Sequence, residues 1–264
     1  MERALPSNVT LTAPRAWTLA LGVPVVLVVI AYCALNYVAL VGRDSFRLRE
    51  TSALVGSKIN VSVGSGDITV APSADRRAHV SGIVRYSLIR PSVTWTTTPD
   101  GTSLASHRCW WIDCDDATLT VSVPATESVT ASTSSGDVHA RDVHGALTLS
   151  AASGDLDLER VSGTLVLNDA SGDINGTALA AANVSGGNAS GDIDLSFTKP
   201  PSYVSISDVS GDITVAVPAG VAYRVTASTI SGSTNIAVRT NPSARRVIDL
   251  NNVSGDITVV PTRR

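Results

Sequence analysis

Residues 247–259 read Val-Ile-Asp-Leu-Asn-Asn-Val-Ser-Gly-Asp-Ile-Thr-Val, and this stretch contains the pattern that decides the fold. Apolar residues alternate with polar ones on both sides of the central Ser-Gly-Asp, as in short strands with one buried face. Glycine supplies a backbone conformation that other residues resist, while serine and aspartate bond nearby amides in turns. The stretch therefore predicts two short strands joined by a turn at residues 254–256.

The same unit recurs at a regular interval. Three copies of the hexapeptide Ser-Gly-Asp-Ile-Thr-Val are identical and four are looser; the seven begin at Ser65, Ser135, Ser153, Ser171, Ser190, Ser210 and Ser254. From residue 135 onward, and including a degenerate Ser-Gly pair at Ser231, the copies are 18 to 23 residues apart. Two strands and two turns per interval predict one coil of a parallel β-solenoid, with coils stacked about 4.8 Å apart. A β-sandwich of hairpins is the alternative, because Gly-Asp turns also close hairpins.

Each copy contributes one glycine and one aspartate to a predicted turn. These repeat-turn residues are Gly66, Asp67, Gly136, Asp137, Gly154, Asp155, Gly172, Asp173, Gly191, Asp192, Gly211, Asp212, Gly255 and Asp256. Calcium takes six to eight oxygen ligands, and one aspartate with one serine per coil supplies too few. We therefore expect a structural role for these turns, and neither a metal site nor a cofactor.

A long apolar segment near the amino terminus predicts a membrane anchor. No charged residue lies between Arg15 and Arg43, and about 20 apolar residues suffice for a membrane-spanning helix. A cleaved signal peptide is the competing interpretation, but its apolar core usually has only 7–15 residues. We expect a short tail at 1–16, one transmembrane helix at 17–41 and a juxtamembrane linker at 42–55. The flanking positive charges are nearly balanced and do not decide the orientation.

The predicted domain covers residues 56–264, with an aperiodic first portion at 71–124 and regular repeats at 125–264. The aperiodic portion contains three of the four tryptophans, which are Trp95, Trp110 and Trp111. Loops outside a regular scaffold often carry recognition, so these three are the predicted contact residues. The alternative is that they fill one end of the solenoid. Cys109 and Cys114 are close enough to form a disulfide in an oxidising compartment, with two free thiols as the alternative.

The apolar amino-terminal segment followed by repeated Ser-Gly-Asp-[Ile/Val/Leu] units resembles the bacterial DUF4097 family over about residues 56–264. The resemblance implies a β-solenoid-like domain, an adhesin-like role, and a single-pass protein of the cell membrane whose carboxyl-terminal domain is extracytoplasmic. The family has no established catalytic residues, so the resemblance implies none here.

Charge and motif content narrow the function classes further. The chain has 23 acidic and 20 basic residues, which argues against a surface that tracks nucleic-acid phosphates. No Gly-x-Ser-x-Gly motif is present, and His139 and His144 are expected to be solvated. Asp157, Glu159 and Arg160 form the nearest charged cluster, typical of a solvated face. We expect a non-enzymatic, membrane-anchored binding or adhesin-like module with an unknown envelope or surface ligand or protein partner. The alternative is an envelope regulatory or scaffolding protein that acts through a membrane partner.

Overall fold

The computed structural model describes residues 26, 28–34, 44–53, 58–75, 77–86, 93–98, 101–106 and 116–262. Helical residues occur at 26 and 28–34. The strands, in chain order, are β1 (Asp44–Ala53), β2 (Lys58–Val63), β3 (Ile68–Pro72), β4 (Arg77–Tyr86), β5 (Val93–Thr98), β6 (Gly101–Ser106), β7 (Asp116–Val123), β8 (Ser128–Thr133), β9 (Val138–Arg141), β10 (Leu147–Ala151), β11 (Leu156–Glu159), β12 (Leu165–Asp169), β13 (Ile174–Leu179), β14 (Asn183–Asn188), β15 (Ile193–Phe197), β16 (Tyr203–Asp208), β17 (Ile213–Val217), β18 (Arg224–Ser231), β19 (Thr234–Ile236), β20 (Val247–Ser254) and β21 (Ile257–Pro261).

The strands form two sheets, and the chain alternates between them. Sheet A has the order β1-β4-β7-β3-β9-β11-β13-β15-β17-β21-β19, and sheet B has the order β18-β20-β16-β14-β12-β10-β8-β2-β6-β5. Neighbouring repeats pair in parallel and in register, so that Leu147 lies opposite Leu165 in sheet B and Leu156 opposite Ile174 in sheet A. Hairpins of a β-sandwich would instead pair consecutive strands antiparallel. The fold is all-β with parallel-strand sheets and a β-solenoid-like repeat, as the sequence period predicts.

The order of coils differs from the order of repeats at both ends of the stack. The coil formed by β20 and β21 lies between the coils β16–β17 and β18–β19. At the other end, β2 and β3 lie between β6–β7 and β8–β9. Each of these two repeats is therefore inserted between two other coils and does not lie at an end of the stack. The Ser-Gly-Asp copies at Ser65 and Ser135, far apart in sequence, belong to adjacent coils for this reason.

The core consists of apolar rows that run along the stack between the two sheets. One row, contributed by the first residues of the sheet A strands, is at most 1% exposed; it contains Ile68, Val138, Leu156, Ile174, Ile193, Ile213 and Ile257. Burying such a side chain fully contributes about 1.5–3 kcal/mol. In the outermost coil Thr234 takes the position next to Ile257, so the apolar row ends in a polar residue. Stability therefore accumulates coil by coil.

Antiparallel strands extend the end of the stack nearest the amino terminus. Strand β4 pairs with β7 on one side and β1 on the other, while β5 pairs with β6. Residues 42–55 were expected to form a linker, but β1 occupies Asp44–Ala53 of that stretch and belongs to sheet A. Phe46 and Leu48 alternate toward the core, which explains why this segment pairs rather than staying free. The aperiodic portion at 71–124 thus includes in-register strands of the same domain.

The predicted transmembrane helix at 17–41 lies largely outside the described residues. Within the described part of the chain, no helix is long and apolar enough to span a membrane. The anchor stays a prediction.

Candidate functional site

The Ser-Gly-Asp turns stack at one corner of the coil, between each sheet B strand and the following sheet A strand. At this corner, called the glycine corner below, the glycine amide of one coil donates to the serine carbonyl of the next. Seven such bonds have N···O distances of 2.6 to 3.0 Å; the donors are Gly66, Gly136, Gly154, Gly172, Gly191, Gly211 and Gly255. The turns therefore continue the backbone ladder of the sheets around the corner.

The repeat aspartates link the same coils through their side chains. In each case Oδ1 accepts a hydrogen bond from the backbone N–H of the equivalent residue in the adjacent coil, over 2.8 to 3.1 Å. The ladder runs through Asp67, Asp137, Asp155, Asp173, Asp192, Asp212 and Asp256, and it ends at the amide of Ser233. The backbone and side-chain hydrogen bonds of Ser233 lower the pKa of Asp256. Each carboxylate thus has a structural partner.

The repeat aspartates are spaced one per coil along the stack. Among the described residues, no group of three histidine, cysteine, aspartate or glutamate side chains is arranged to hold a metal ion. One carboxylate per coil supplies few oxygen ligands at any one place, whereas calcium needs several oxygens around one point. The turn geometry explains why these residues recur without requiring an ion.

Close backbone approach explains the glycines, as Gly172 illustrates. Its φ is +150°, and a methyl group added there would lie 2.2 Å from the carbonyl oxygen of Gly154. A side chain would therefore collide with the backbone of the adjacent coil in addition to adopting a disfavoured φ.

A shallow open groove lies on the outer face of sheet A, across β9, β11 and β13. Its volume is about 300 Å³, and its polar lining consists of His139, Arg141, Asp157, Glu159, Asn175 and Thr177. His139 Nδ1 lies 3.0 Å from Asp157 Oδ2, and these side chains are 41% and 45% exposed. We call these six residues the sheet A groove, and it combines a concavity with side chains of both charge signs.

An ion-pair cluster borders this groove at the second corner of the coil. Arg160 Nε and a terminal nitrogen donate to the two carboxylate oxygens of Asp142 over 2.7 and 2.9 Å, and Arg160 also contacts Glu159. The hydrogen bond from Arg160 lowers the pKa of Asp142, and the pKa of Arg160 is raised in turn. Asp142, Arg160 and Ala178 all have positive φ, near +53°, at equivalent positions of successive coils. We call this the second corner. It accommodates residues with side chains, whereas the glycine corner requires glycine.

The sequence contained a signal for this groove. His139, Asp157 and Asn175 are 18 residues apart, as are Asp142 and Arg160, so one repeat interval places each set side by side on adjacent strands. From the sequence, His139 and His144 are expected to be solvated, and the interval of 18 residues additionally places His139 beside Asp157. His144 lies outside the groove, and its Nδ1 is 2.8 Å from Ser162 Oγ.

The predicted contact region lies mostly outside the described residues. Trp95 belongs to β5, but its side chain lies outside the described part of the structure. Trp110, Trp111, Cys109 and Cys114 fall in the stretch 107–115 that is not described. The contact role and the disulfide stay predictions.

Comparison with solved structures returns bacterial proteins of low sequence identity. A "putative adhesin" from Bacteroides fragilis shares 14% identity, with 82% of this chain and 97% of that chain covered and a TM-score of 0.44. A "putative cell adhesion protein" from Clostridium sporogenes shares 12% identity, with 83% and 100% covered and a TM-score of 0.37. No curated protein matches the chain. The model of one family, Toastrack DUF4097, matches residues 49–260, and the chain belongs to this family.

Proposed function

We propose that the chain is a membrane-anchored, non-catalytic binding module, of the adhesin-like class, that presents the outer face of sheet A to a ligand outside the cytoplasm. The observation that carries this proposal is the sheet A groove, which exposes His139, Arg141, Asp157 and Glu159 on adjacent strands. These side chains supply hydrogen-bond donors and acceptors of both charge signs at a fixed spacing. Such an array suits a polar surface ligand better than an apolar one.

The rigidity of the scaffold supports a binding role. The strands that carry the groove are paired on both sides, and their inward side chains are fully buried, as for Leu156 and Ile174. Side chains on such strands are positioned without much loss of conformational freedom on binding. A ligand therefore meets a preorganised surface.

The openness of the same groove supports a non-catalytic role. Acid–base pairs in enzymes act in sites that exclude water and position a reacting group. His139 and Asp157 lie on an open face and are each more than one third exposed. An exposed ion pair of this kind contributes about 0–1 kcal/mol and suits surface recognition.

The anchor and the outward orientation of the domain are part of the proposal. The apolar run at 17–41 is long enough to span a bilayer. Protease treatment of intact cells that express the full chain tests the orientation. We expect the domain to be cleaved without permeabilisation, and protection until permeabilisation would contradict the outward placement.

Binding to cells or isolated envelope material tests the role of the groove. We expect Arg141→Ala to weaken binding, because Arg141 lines the groove. Arg224→Ala is the matched control, since Arg224 is an exposed strand arginine on β18 of sheet B. Equal binding by wild type and both variants, with unchanged folding, would exclude the groove as the contact surface.

A regulatory or scaffolding role that acts through a membrane partner is the second candidate, and the last coil favours it. Strands β18 and β19 are the outermost strands of sheets B and A within the described structure. Ile230 is 82% exposed and lies beside Val253, which is 44% exposed. A photo-crosslinking residue at position 230 in intact cells tests this role. A crosslink to one envelope protein would favour it, and recovery of the uncrosslinked chain alone would count against it.

A further inference from the structure

One buried position of the coil, just before the Ser-Gly-Asp turn, is occupied by a polar residue in most coils. It is the inward residue at the end of a sheet B strand, and along the stack it is filled by Val63, Thr133, Ala151, Asp169, Asn188, Asp208, Asn252 and Thr229. Asp169 is 8% exposed and Asp208 is 3% exposed, as deeply buried as Asn188 at 6%. Two carboxyl groups therefore lie in a row whose other polar members are asparagine and threonine.

Asparagine and threonine act as hydrogen-bond donors at this position. Asn188 Nδ2 donates to the carbonyl oxygen of Gly172 over 2.7 Å, and Asn252 Nδ2 donates to that of Gly211 over the same distance. The hydroxyls of Thr133 and Thr229 donate in the same way to Gly66 and Gly255, over 3.1 and 3.0 Å. In each case the acceptor is the turn glycine of the adjacent coil. Each asparagine or threonine at this position therefore acts as a donor to the adjacent coil.

Asp169 reproduces the geometry of Asn188. Its Oδ1 accepts from the next two amides over 2.8 and 3.4 Å, and Asn188 Oδ1 accepts from the equivalent amides over 2.8 and 3.3 Å. A methyl group added at Gly172 would lie 2.8 Å from Asp169 Oδ2, and one added at Gly255 would lie 3.0 Å from Asn252 Nδ2. Asp169 Oδ2 therefore occupies the place of the donating amide nitrogen.

Asp208 occupies the same place in its own coil. A methyl group added at Gly211 would lie 3.1 Å from Asp208 Oδ2 and 2.0 Å from the carbonyl oxygen of Gly191. Asp169 Oδ2 and Asp208 Oδ2 have no hydrogen-bond partner among the described residues. An ionised carboxylate can only accept hydrogen bonds, so in this place it would face a carbonyl oxygen without a proton between them.

The charges around both groups also disfavour ionisation. Burial raises the pKa of Asp169 and of Asp208. The charged groups that act on Asp169 are the ladder carboxylates Asp155 and Asp173, and the one that acts on Asp208 is Asp192; all are acidic and add to the rise. The packed neighbours in the row contribute no charge, because they are Ala151, the two asparagines and backbone. Only hydrogen bonds from nearby backbone amides lower the pKa of these two groups.

We propose that Asp169 and Asp208 take up protons from solvent and act as neutral donors to the carbonyl oxygens of Gly154 and Gly191, so that mild acid tightens the stack of coils. Protonated carboxyl groups have one O–H donor and can therefore replace the amide of asparagine at this position. The stability of the domain would then depend on pH through Asp169 and Asp208, which are buried and are not part of the aspartate ladder.

The sign of the pH dependence follows from the direction of the shift. For a carboxyl group whose pKa is raised by folding, the stabilisation is complete below the unfolded pKa of about 3.9 and is lost as the pH rises through the folded pKa. Asp75 has the opposite sign, because its hydrogen bonds to Ser73 and His79 lower its pKa to about 2. Its contribution is lost below about pH 4, so the two kinds of group act in different pH ranges.

Urea unfolding of the full chain in nonionic detergent between about pH 4 and about pH 8 tests the proposal. We expect the Asp169→Asn/Asp208→Asn variant to have a higher midpoint than wild type near pH 8 and to lose the decline that wild type shows as the pH rises. Asp137→Asn/Asp212→Asn is the matched control, with the same chemical change at two ladder residues that act on neither buried group. It should retain the decline.

An infrared measurement identifies the protons directly. We expect wild type in mild acid to show a protonated-carboxyl band that is absent from Asp169→Asn/Asp208→Asn and present in the control. The proposal is overturned if the urea midpoint of the double variant falls with rising pH as that of wild type does. It is also overturned if the double variant shows the same protonated-carboxyl band as wild type. Failure of the double variant to fold would overturn it as well, because asparagine already fits this position at Asn188 and Asn252.

Discussion

Both corners of the coil use a positive φ, but the φ values and the residues differ. At the glycine corner Gly172 has a φ of +150°, and at the second corner Ala178 has a φ of +52°. A methyl group at Gly172 would meet backbone 2.2 Å away, whereas Ala178 already carries its methyl group. A φ near +150° and the close backbone of the adjacent coil together require glycine at the first corner, whereas a φ near +52° admits other residues at the second.

The largest effect is expected at the crowded corner. Gly172→Ala should lower the free energy of unfolding by about 3 kcal/mol, because the new methyl group collides with the carbonyl of Gly154 and the φ is disfavoured. Chemical denaturation of the full chain measures the loss.

Gly220→Ala separates crowding from φ in the same experiment. Gly220 has a φ of +94°, and an added methyl group there would have no described atom within 4 Å. Its cost should be about 1 kcal/mol, from backbone strain alone. Equal costs at the two glycines would show that crowding does not distinguish the corners.

A smaller effect is expected from the aspartate ladder at the glycine corner. Asp173→Ala removes the acceptor for the amide of Asp192, so we expect a loss of about 1 kcal/mol. Asp173→Asn keeps an oxygen that accepts the same bond and should lose less. Thermal unfolding of both variants ranks them, and calcium should not change the ranking. A calcium-dependent rise in wild-type melting temperature that Asp173→Asn abolishes would contradict a purely structural ladder.

At the second corner a glycine should stabilise the chain. Ala178→Gly relieves the left-handed strain of alanine and should raise the free energy of unfolding by up to about 1 kcal/mol. Ala152→Gly, in an exposed turn position with ordinary φ, is the control and should lower the free energy of unfolding. A loss for both variants would mean that φ at residue 178 carries no strain.

The smallest effect is expected from the exposed ion pair at the second corner. Arg160→Gln removes the bonds to Asp142, whose pKa the arginine lowers, and both groups are exposed to solvent. The contribution should be present above about pH 4 and be lost as the pH falls through the folded pKa of Asp142. Denaturation at low and high salt measures it, and an effect larger than that of Gly172→Ala would reverse the order of the corners.

The repeat interval predicted the coil, the inward rows and the turns, because the positions of Ile174 and Gly172 depend on neighbours one interval away. The same interval could have predicted the pair His139–Asp157. It could not predict that β20 and β21 are inserted before β18 and β19, since that order depends on which coil covers the end of the stack. Nor did it distinguish Asp169 from Asp173, because burial of the first and exposure of the second depend on where each lies relative to the turn.

The insertion of both terminal repeats inside the stack has a mechanical consequence. A solenoid whose last coil is outermost can unravel one coil at a time when force is applied to its end. Here the carboxyl-terminal strands β20 and β21 have neighbours on both sides, so a pull on that end must break two rows of backbone bonds together. The domain therefore resists peeling when force is applied at β20 and β21, and it keeps its shape until both rows of bonds break.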